Sequence, residues 1–178
     1  MSSIKVHDKE FTLYLDAATI AKEVTRIANE LNKDYEGKIP LFIAILNGAF
    51  IFASDLFKQI TIPAEISFIK LASYKGVKST GKVITAIGLD ADLYQRDVII
   101  LEDIVDTGKT LHQFLPQLQH YSPSSIKIAA LLHKPGAMIH PIEIDYKGFT
   151  IPDKFVVGYG LDYDGLGRNI KEIFQIVE

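Results

Sequence analysis

The chain has 178 residues, of which 48% are hydrophobic and 23% charged, a composition typical of one globular domain and not of a disordered chain. Its 19 Lys and Arg against 22 Asp and Glu give a formal charge of −3, so no overall positive field would attract nucleic acid. The absence of cysteine excludes thiolate metal sites and cysteine nucleophiles. With neither a membrane-length apolar run nor a signal peptide, we expect a single cytoplasmic domain over residues 1–178, without a nucleic-acid or membrane partner.

Helical signals occur in three places along the chain. Asp16 is positioned to cap an amphipathic helix that Gly37 and Pro40 would close. A short apolar helix is predicted from about 49 to 58. A third helix should begin after residue 110, with a kink or an early end at Pro116 because proline cannot donate a backbone hydrogen bond.

Apolar, β-rich runs between these segments predict strands. Several are apolar throughout, as expected for strands buried on both faces of a parallel sheet, and a possible edge strand lies at the end of the chain. Glu102-Asp103 is expected to break the strand that precedes it, and residues 73–82 form a polar stretch typical of an exposed, mobile loop. The predicted strands are 41–46, 65–71, 83–87, 98–101, 126–132, 155–159 and 174–177. The order of segments predicts an α/β fold, with a mainly parallel twisted sheet flanked by helices.

In open α/β sheets, ligands bind beyond the carboxyl ends of the strands, so the polar residues that follow each apolar run are the candidates for a site. Those residues are Asn47-Gly48, Glu102-Asp103, His133-Lys134 and the segment after Tyr159.

The loop from Asp106 to Thr110 is the most informative of these segments. It leads into a helix and offers backbone N–H groups, two hydroxyls and the positive end of a helix dipole, which together suit a phosphate. A nucleotide-binding P-loop is disfavoured because its first glycine would fall on Asp103. Beside this loop, Glu102 and Asp103 suit sugar hydroxyls or a hydrated Mg²⁺, so the sequence predicts a sugar-phosphate site.

The segment VIILEDIVDTGKT, residues 98–110, resembles the phosphoribosyl-pyrophosphate signature of the type I phosphoribosyltransferases. From about Phe11 to the end, the chain resembles the hypoxanthine-guanine phosphoribosyltransferases through LNGAF, ASY, LLHKPGA and IPDKFVVGYGLDYDGLGR, in that order. The resemblance implies a small hood formed by the terminal segments, Mg²⁺ as cofactor, and a homodimer or homotetramer. It also implies a purine salvage reaction, in which phosphoribosyl pyrophosphate and a 6-oxopurine, hypoxanthine or guanine, give IMP or GMP and pyrophosphate.

The resemblance also implies roles for the residues around the phosphate loop. Glu102 and Asp103 would hold the ribose hydroxyls and the water shell of the metal. Asp106 would be the base near purine N7, and Lys134 would donate to the 6-oxo group. The 5′-phosphate would bind to Thr107, Gly108, Lys109 and Thr110.

Further roles fall on residues elsewhere in the chain. Phe155 would stack on the purine, whose edge would bond to the Val156 backbone, and Asp162 would help to hold Mg²⁺ while Arg168 grips pyrophosphate. Ile104 and Leu161 would be apolar neighbours of the base, Ser73 and Tyr74 match a mobile lid, and Asn47 and Gly48 match the pyrophosphate loop. In the family, this loop often carries Lys at the position of Asn47. The resemblance also implies a cis peptide between Leu46 and Asn47.

Simpler interpretations exist for single residues. Asp106 could be a helix cap, Phe155 a core residue, Arg168 an exposed side chain and Asp162 a turn residue. For the whole protein, two alternatives remain open at this level: a regulatory protein that senses phosphoribosyl pyrophosphate and binds nucleic acid, and an enzyme that uses xanthine or another 6-oxo base.

Overall fold

The structure is a computed structural model that describes residues 2–73, 83–87 and 91–177. The strands are β1 (Ser3–Val6), β2 (Lys9–Leu15), β3 (Leu41–Leu46), β4 (Glu65–Ser73), β5 (Val83–Ile87), β6 (Asp97–Val105), β7 (Ser125–His133), β8 (Tyr146–Thr150), β9 (Val156–Val157) and β10 (Ile173–Ile176). The helices are α1 (Ala17–Asp34), α2 (Phe50–Phe57) and α3 (Lys109–Gln119), and a short 3-10 helix spans Pro135–Ala137. Each helix in the described ranges is too short or too polar to cross a membrane.

Two sheets organise the fold. The larger has the order β5-β4-β3-β6-β7-β8, with five parallel strands and β5 antiparallel at one edge. One buried cluster joins its first face to α1 and α2, and a second joins the other face to α3. Helices therefore cover both faces, which explains the continuous apolar runs within the central strands and confirms the predicted α/β class.

The helix signals were accurate at the start of α1, but one of the two expectations at Pro116, an early end of α3, was not met. Asp16 caps α1 by accepting a hydrogen bond from the Thr19 N–H at 2.7 Å. In contrast, α3 continues through Pro116 to Gln119, so the early end is wrong. Leu111, Phe114 and Leu118 are buried along one side of α3, and this packing offsets the hydrogen bond that proline cannot make.

The expected strand break at Glu102-Asp103 is also wrong. Strand β6 continues to Val105 because its pairing with β7 extends to the pair of Val105 and His133. Both carboxylates therefore lie within β6, near its carboxyl end, where the sheet fixes the direction of their side chains.

The second sheet is antiparallel, with the order β1-β2-β10-β9, and matches the expected hood of terminal segments. The segment predicted as a strand over 155–159 contributes only Val156–Val157, at an edge of this sheet instead of in the parallel one. The last strand lies between β2 and β9 and is not an edge strand. The fifth parallel strand is β8, which was not predicted because its YKGFT sequence lacks an apolar run.

The predicted loop over 73–82 cannot be compared in full with the structure. Ser73 ends β4, and the rest of that loop lies outside the described residues.

Candidate active site

The loop between β6 and α3 forms the phosphate-binding candidate. Gly108 precedes the first residue of α3 with a φ of 75°, and a Cβ at this position would lie 2.1 Å from the His140 carbonyl oxygen. Only glycine fits, because both the backbone conformation and the close contact exclude a side chain. The Thr107 carbonyl accepts hydrogen bonds from the N–H groups of Ile139 and His140, which fix the outer side of the loop.

This loop encloses a cavity of about 240 Å³ at the amino-terminal end of α3. The positive end of the helix dipole faces such a position and favours an anion. Its lining includes all of the residues that were predicted to bind the 5′-phosphate, together with two of the predicted acids and one apolar neighbour of the base. The lining residues are Glu102, Ile104, Val105, Asp106, Thr107, Gly108, Lys109, Thr110 and Leu111.

Glu102 and Asp103 are an acidic pair in a poorly solvated place. Burial raises the pKa of Glu102 well above its ordinary value, and the negative charge of Asp103 raises it further. Burial also raises the pKa of Asp103, although the hydrogen bond from the Ile104 N–H, at 2.9 Å, opposes the change. Glu102 Oε2 is buried without a hydrogen-bond partner in the part of the chain that the structure describes. A buried carboxyl oxygen without a partner, near the end of a strand, is suited to receive a hydroxyl or a hydrated cation.

The turn after β3 presses against this acidic pair. A Cβ on Gly48 would lie 1.7 Å from Asp103 Oδ2, and a Cβ on Gly160 would lie 2.1 Å from the Gly48 carbonyl oxygen. Three segments distant in sequence therefore meet at Gly48. The peptide bond between Leu46 and Asn47 is cis, as the resemblance implied.

Lys134 is almost fully buried and lies between two carboxylates. Its Nζ is 3.6 Å from Asp106 Oδ2 and 3.8 Å from Asp153 Oδ1, and its side chain is 7% exposed. Its backbone N–H donates to the Val105 carbonyl at 2.9 Å, which fixes the residue beside the end of β6. Lys134 is therefore not an ordinary surface lysine.

Asp153 is a residue of this site that sequence reasoning missed. It follows β8 by three positions, so recognising that strand would have placed a carboxylate at its carboxyl end.

Phe155 is exposed to 44%, so it is not the core residue that its apolar neighbours suggested. Its ring packs edge-on against Tyr163 at 5.7 Å between centroids and lies 6.3 Å from the ring of Phe11. Val156 and Leu161 are buried. An exposed, laterally supported ring is a suitable surface for stacking a planar base.

Arg168 joins the segment after β9 to the acids. It donates to the Gly160 carbonyl at 2.6 Å and forms an ion pair with Asp162 Oδ1 at 2.6 Å. Asp162 Oδ2 accepts the Gly165 N–H at 2.7 Å, so Asp162 holds a turn as well as an arginine. Burial raises the pKa of Asp103, and the positive charge of Arg168 partly opposes this rise, as expected for side chains that lie close enough to interact.

Two predicted residues cannot be placed in this site. Ser73 ends β4 on the edge side of β3, and Tyr74 lies outside the described residues. The described ranges also hold no group of three His, Asp or Glu side chains arranged to bind a metal ion, so Glu102, Asp103 and Asp162 do not form a preformed cage. Mg²⁺ commonly binds through one or two carboxylates, with water and substrate phosphates completing its shell, and this pair of acids fits that mode.

Comparison with known proteins agrees with this arrangement. Residues 12–164 match the family described as "Phosphoribosyl transferase domain". A hypoxanthine-guanine phosphoribosyltransferase from Lactococcus lactis is 42% identical over 152 residues, 85% of this chain and 82% of the relative. A hypoxanthine-guanine-xanthine phosphoribosyltransferase from Tritrichomonas foetus is 37% identical over 167 residues, 93% and 91% of the two chains.

A crystal structure of a hypoxanthine phosphoribosyltransferase from Staphylococcus aureus superposes with a TM-score of 0.88 and 39% identity, covering 93% of this chain and 90% of that one. Sequence and fold therefore lead to one conclusion: this chain belongs to the phosphoribosyltransferase family, within its hypoxanthine-guanine group.

Proposed function

We propose that this protein transfers the 5-phosphoribosyl group of phosphoribosyl pyrophosphate to hypoxanthine or guanine, as a purine salvage enzyme, giving IMP or GMP and pyrophosphate. The observation that carries the proposal is the cavity at the start of α3, where Asp106 and the phosphate loop share one lining with Glu102. The names of the relatives support the choice of base.

In the proposed reaction, purine N9 forms a bond to C1 of the ribose while the bond from C1 to pyrophosphate breaks. The purine also loses a proton, which Asp106 accepts near N7. A carboxylate in this role typically contributes about 10² to 10⁴ in rate. Thr107 to Thr110 hold the 5′-phosphate through backbone N–H groups and hydroxyls, so the sugar is fixed while the base approaches.

Lys134 determines which bases can bind. An ammonium group only donates hydrogen bonds, so it pairs with the 6-oxo oxygen of hypoxanthine or guanine and rejects the 6-amino group of adenine. The contacts of Lys134 with Asp106 and Asp153 hold its Nζ in place before a base arrives. Phe155 stacks on the ring of the base, the Val156 backbone bonds its edge, and Ile104 and Leu161 bound it with apolar surface.

Arg168 and a divalent cation balance the charge of the leaving group. Glu102 and Asp103 would hold the cation, Mg²⁺ in our proposal, through its water shell and would bind the ribose hydroxyls. Asp162, now paired with Arg168, would add a further carboxylate once Arg168 turns to pyrophosphate. When bound, the cation neutralises negative charge that develops on pyrophosphate. Asn47 and Gly48 would bind the same group, Asn47 through its backbone and its side-chain amide. Ser73 and Tyr74 are proposed to belong to a lid that limits hydrolysis.

A comparison of rates with different bases tests this function. Purified protein is mixed with Mg²⁺, phosphoribosyl pyrophosphate and one base at a time, and pyrophosphate release is measured with hypoxanthine, guanine, xanthine and adenine. We expect turnover with hypoxanthine and guanine and none with adenine. Xanthine is included because one relative carries it in its name, and a rate with xanthine equal to that with hypoxanthine would widen the substrate class. No release with any 6-oxopurine would refute the proposal.

The assembly is proposed separately as a homodimer or homotetramer. Light scattering coupled to size-exclusion chromatography measures it directly, and a monomer at micromolar concentration would contradict it.

A further inference from the structure

Tyr159 links the segment that follows β9 to helix α2. Its side chain is 5% exposed, and its hydroxyl donates to Asp55 Oδ2 on α2 at 2.8 Å. It stands between Gly158 and Gly160, and all three residues have positive φ, 106°, 49° and 99°. A tyrosine seldom adopts the left-handed region, and it does so only where its surroundings hold it there.

The consequence of this backbone path is a close approach to the turn after β3. Gly160 packs against the Gly48 carbonyl so tightly that a Cβ would lie 2.1 Å from that oxygen. Gly48 in turn packs on the Asp103 carboxylate, and the Gly160 carbonyl accepts the hydrogen bond from Arg168. The position of the Tyr159 backbone therefore decides where Gly48 and Arg168 lie relative to Asp103.

Asp55 fixes the other end of this arrangement. The helix that carries it, α2, begins directly after the turn that contains Gly48, and the Ala49 N–H donates to the Ile45 carbonyl at 3.2 Å. A bond from Tyr159 to α2 thus ties the hood segment to the same short stretch of chain that presents Gly48. Phe52, Ala53 and Leu56 bury the rest of α2 in the core, so Asp55 cannot shift freely.

We infer that Tyr159 and Asp55 are positioning residues, whose hydrogen bond keeps the Gly48 turn and Arg168 together as one site for pyrophosphate. This inference rests on the proposed function for the identity of the ligand. Neither side chain touches the reacting atoms in this account. The bond acts through Gly160 and Gly48, so its loss should weaken the binding of pyrophosphate and of phosphoribosyl pyrophosphate while the base site is retained.

The chain provides a matched control for a purely structural effect. The hydroxyl of Tyr146 on β8 donates to Asp34 Oδ2 at the end of α1, at 2.9 Å, and Tyr146 is 7% exposed. Burial and an aspartate partner raise the pKa of both tyrosines, so their hydroxyls are in similar states. Only Tyr159 adjoins Gly160, so a comparison of the two isolates the positioning role.

The test compares Tyr159→Phe with Tyr146→Phe. For each protein we would measure the melting temperature, the dissociation constant of inorganic pyrophosphate with Mg²⁺ by calorimetry, and KM for each substrate. Because a hydrogen bond to a charged acceptor is worth about a factor of ten in an equilibrium constant, Tyr159→Phe should weaken the binding of pyrophosphate about tenfold. It should also raise KM for phosphoribosyl pyrophosphate while KM for hypoxanthine stays close to the wild-type value. Both variants should lower the melting temperature by similar amounts, because each loses one hydrogen bond of a buried tyrosine. Tyr146→Phe should leave the affinity for pyrophosphate and both KM values unchanged.

Three further variants keep the inference testable if Tyr159→Phe folds poorly. Asp55→Asn retains an oxygen that can accept from Tyr159 and should recover most of the affinity that Asp55→Ala loses. Lys58→Ala removes the ion pair of Asp55 with Lys58, at 2.8 Å, and should have no effect on binding.

Wild-type pyrophosphate affinity in both Tyr159→Phe and Asp55→Ala would overturn the inference, as would an equal loss in Tyr146→Phe. If the wild-type protein releases no pyrophosphate with any base, the proposed function fails instead, and this outcome is distinct because it concerns the unmodified chain.

Discussion

Gly48→Ala tests the contact on which the proposed site depends. The added methyl group would lie 1.7 Å from Asp103 Oδ2 and 2.5 Å from Asp103 Cγ, whereas ordinary contact begins near 3.4 Å. The φ of Gly48 lies outside the left-handed region, so backbone strain does not contribute. The Asp103 carboxylate would have to move away by about the difference between 1.7 Å and 3.4 Å. Asp103 is only 9% exposed, so it has little room for this movement.

That retreat would break the hydrogen bond from the Ile104 N–H to the Asp103 carboxylate, now 2.9 Å. A hydrogen bond to a charged group contributes about 1.5–3 kcal/mol, so we expect a loss of free energy of unfolding in that range. Displacing a substrate-binding group by about 1 Å can lower the rate about 10²-fold, so kcat/KM should fall by about two orders of magnitude. Urea unfolding and initial-rate kinetics measure the two effects.

Gly136→Ala is the matched control for this substitution. A Cβ on Gly136 meets no described atom within 4 Å, and its φ also lies outside the left-handed region, so both stability and kcat/KM should stay near wild type. The double variant with Asp103→Ala removes the colliding carboxylate, and its stability should equal that of Asp103→Ala alone. Wild-type kinetics in Gly48→Ala, or fully additive destabilisation in the double variant, would refute the reasoning.

Three other variants test the acids and the lysine. Because the pKa of Glu102 is raised in the folded state, the unfolded chain releases this proton at lower pH. The free energy of unfolding therefore falls as pH rises from the ordinary carboxyl range toward the raised pKa. Glu102→Gln should flatten this fall in urea unfolding between pH 5 and 8, and parallel curves for the two proteins would contradict it. Asp106→Asn should lower kcat about 10²- to 10⁴-fold while calorimetry finds unchanged phosphoribosyl pyrophosphate affinity, and an unchanged kcat would remove Asp106 as the base. Lys134→Ala should raise KM for hypoxanthine about tenfold or more and KM for phosphoribosyl pyrophosphate much less, whereas equal increases would show that Lys134 only supports the fold.

Sequence reasoning succeeded where the determining interactions are local, or where a continuous apolar run indicates a strand that is buried on both faces. The cap at Asp16 needs only Thr19 three residues away, and the apolar run of β3 follows from burial on both faces. It failed where pairing with a distant strand overrides local character. Strand β6 includes Glu102 and Asp103 because β7 continues beside it, and β9 joins the hood because β10 is there to pair with it.

By itself, the sequence determined the α/β class and the loop that leads into α3, because both depend on short-range pattern. Contiguous motifs supplied most of the candidate site residues. Only the tertiary structure decided that Lys134 lies between Asp106 and Asp153, that Phe155 is exposed, and that Gly48 packs between Asp103 and Gly160. These contacts join segments up to about a hundred residues apart, and their distances follow from sheet register and close packing, which no local pattern of residues encodes.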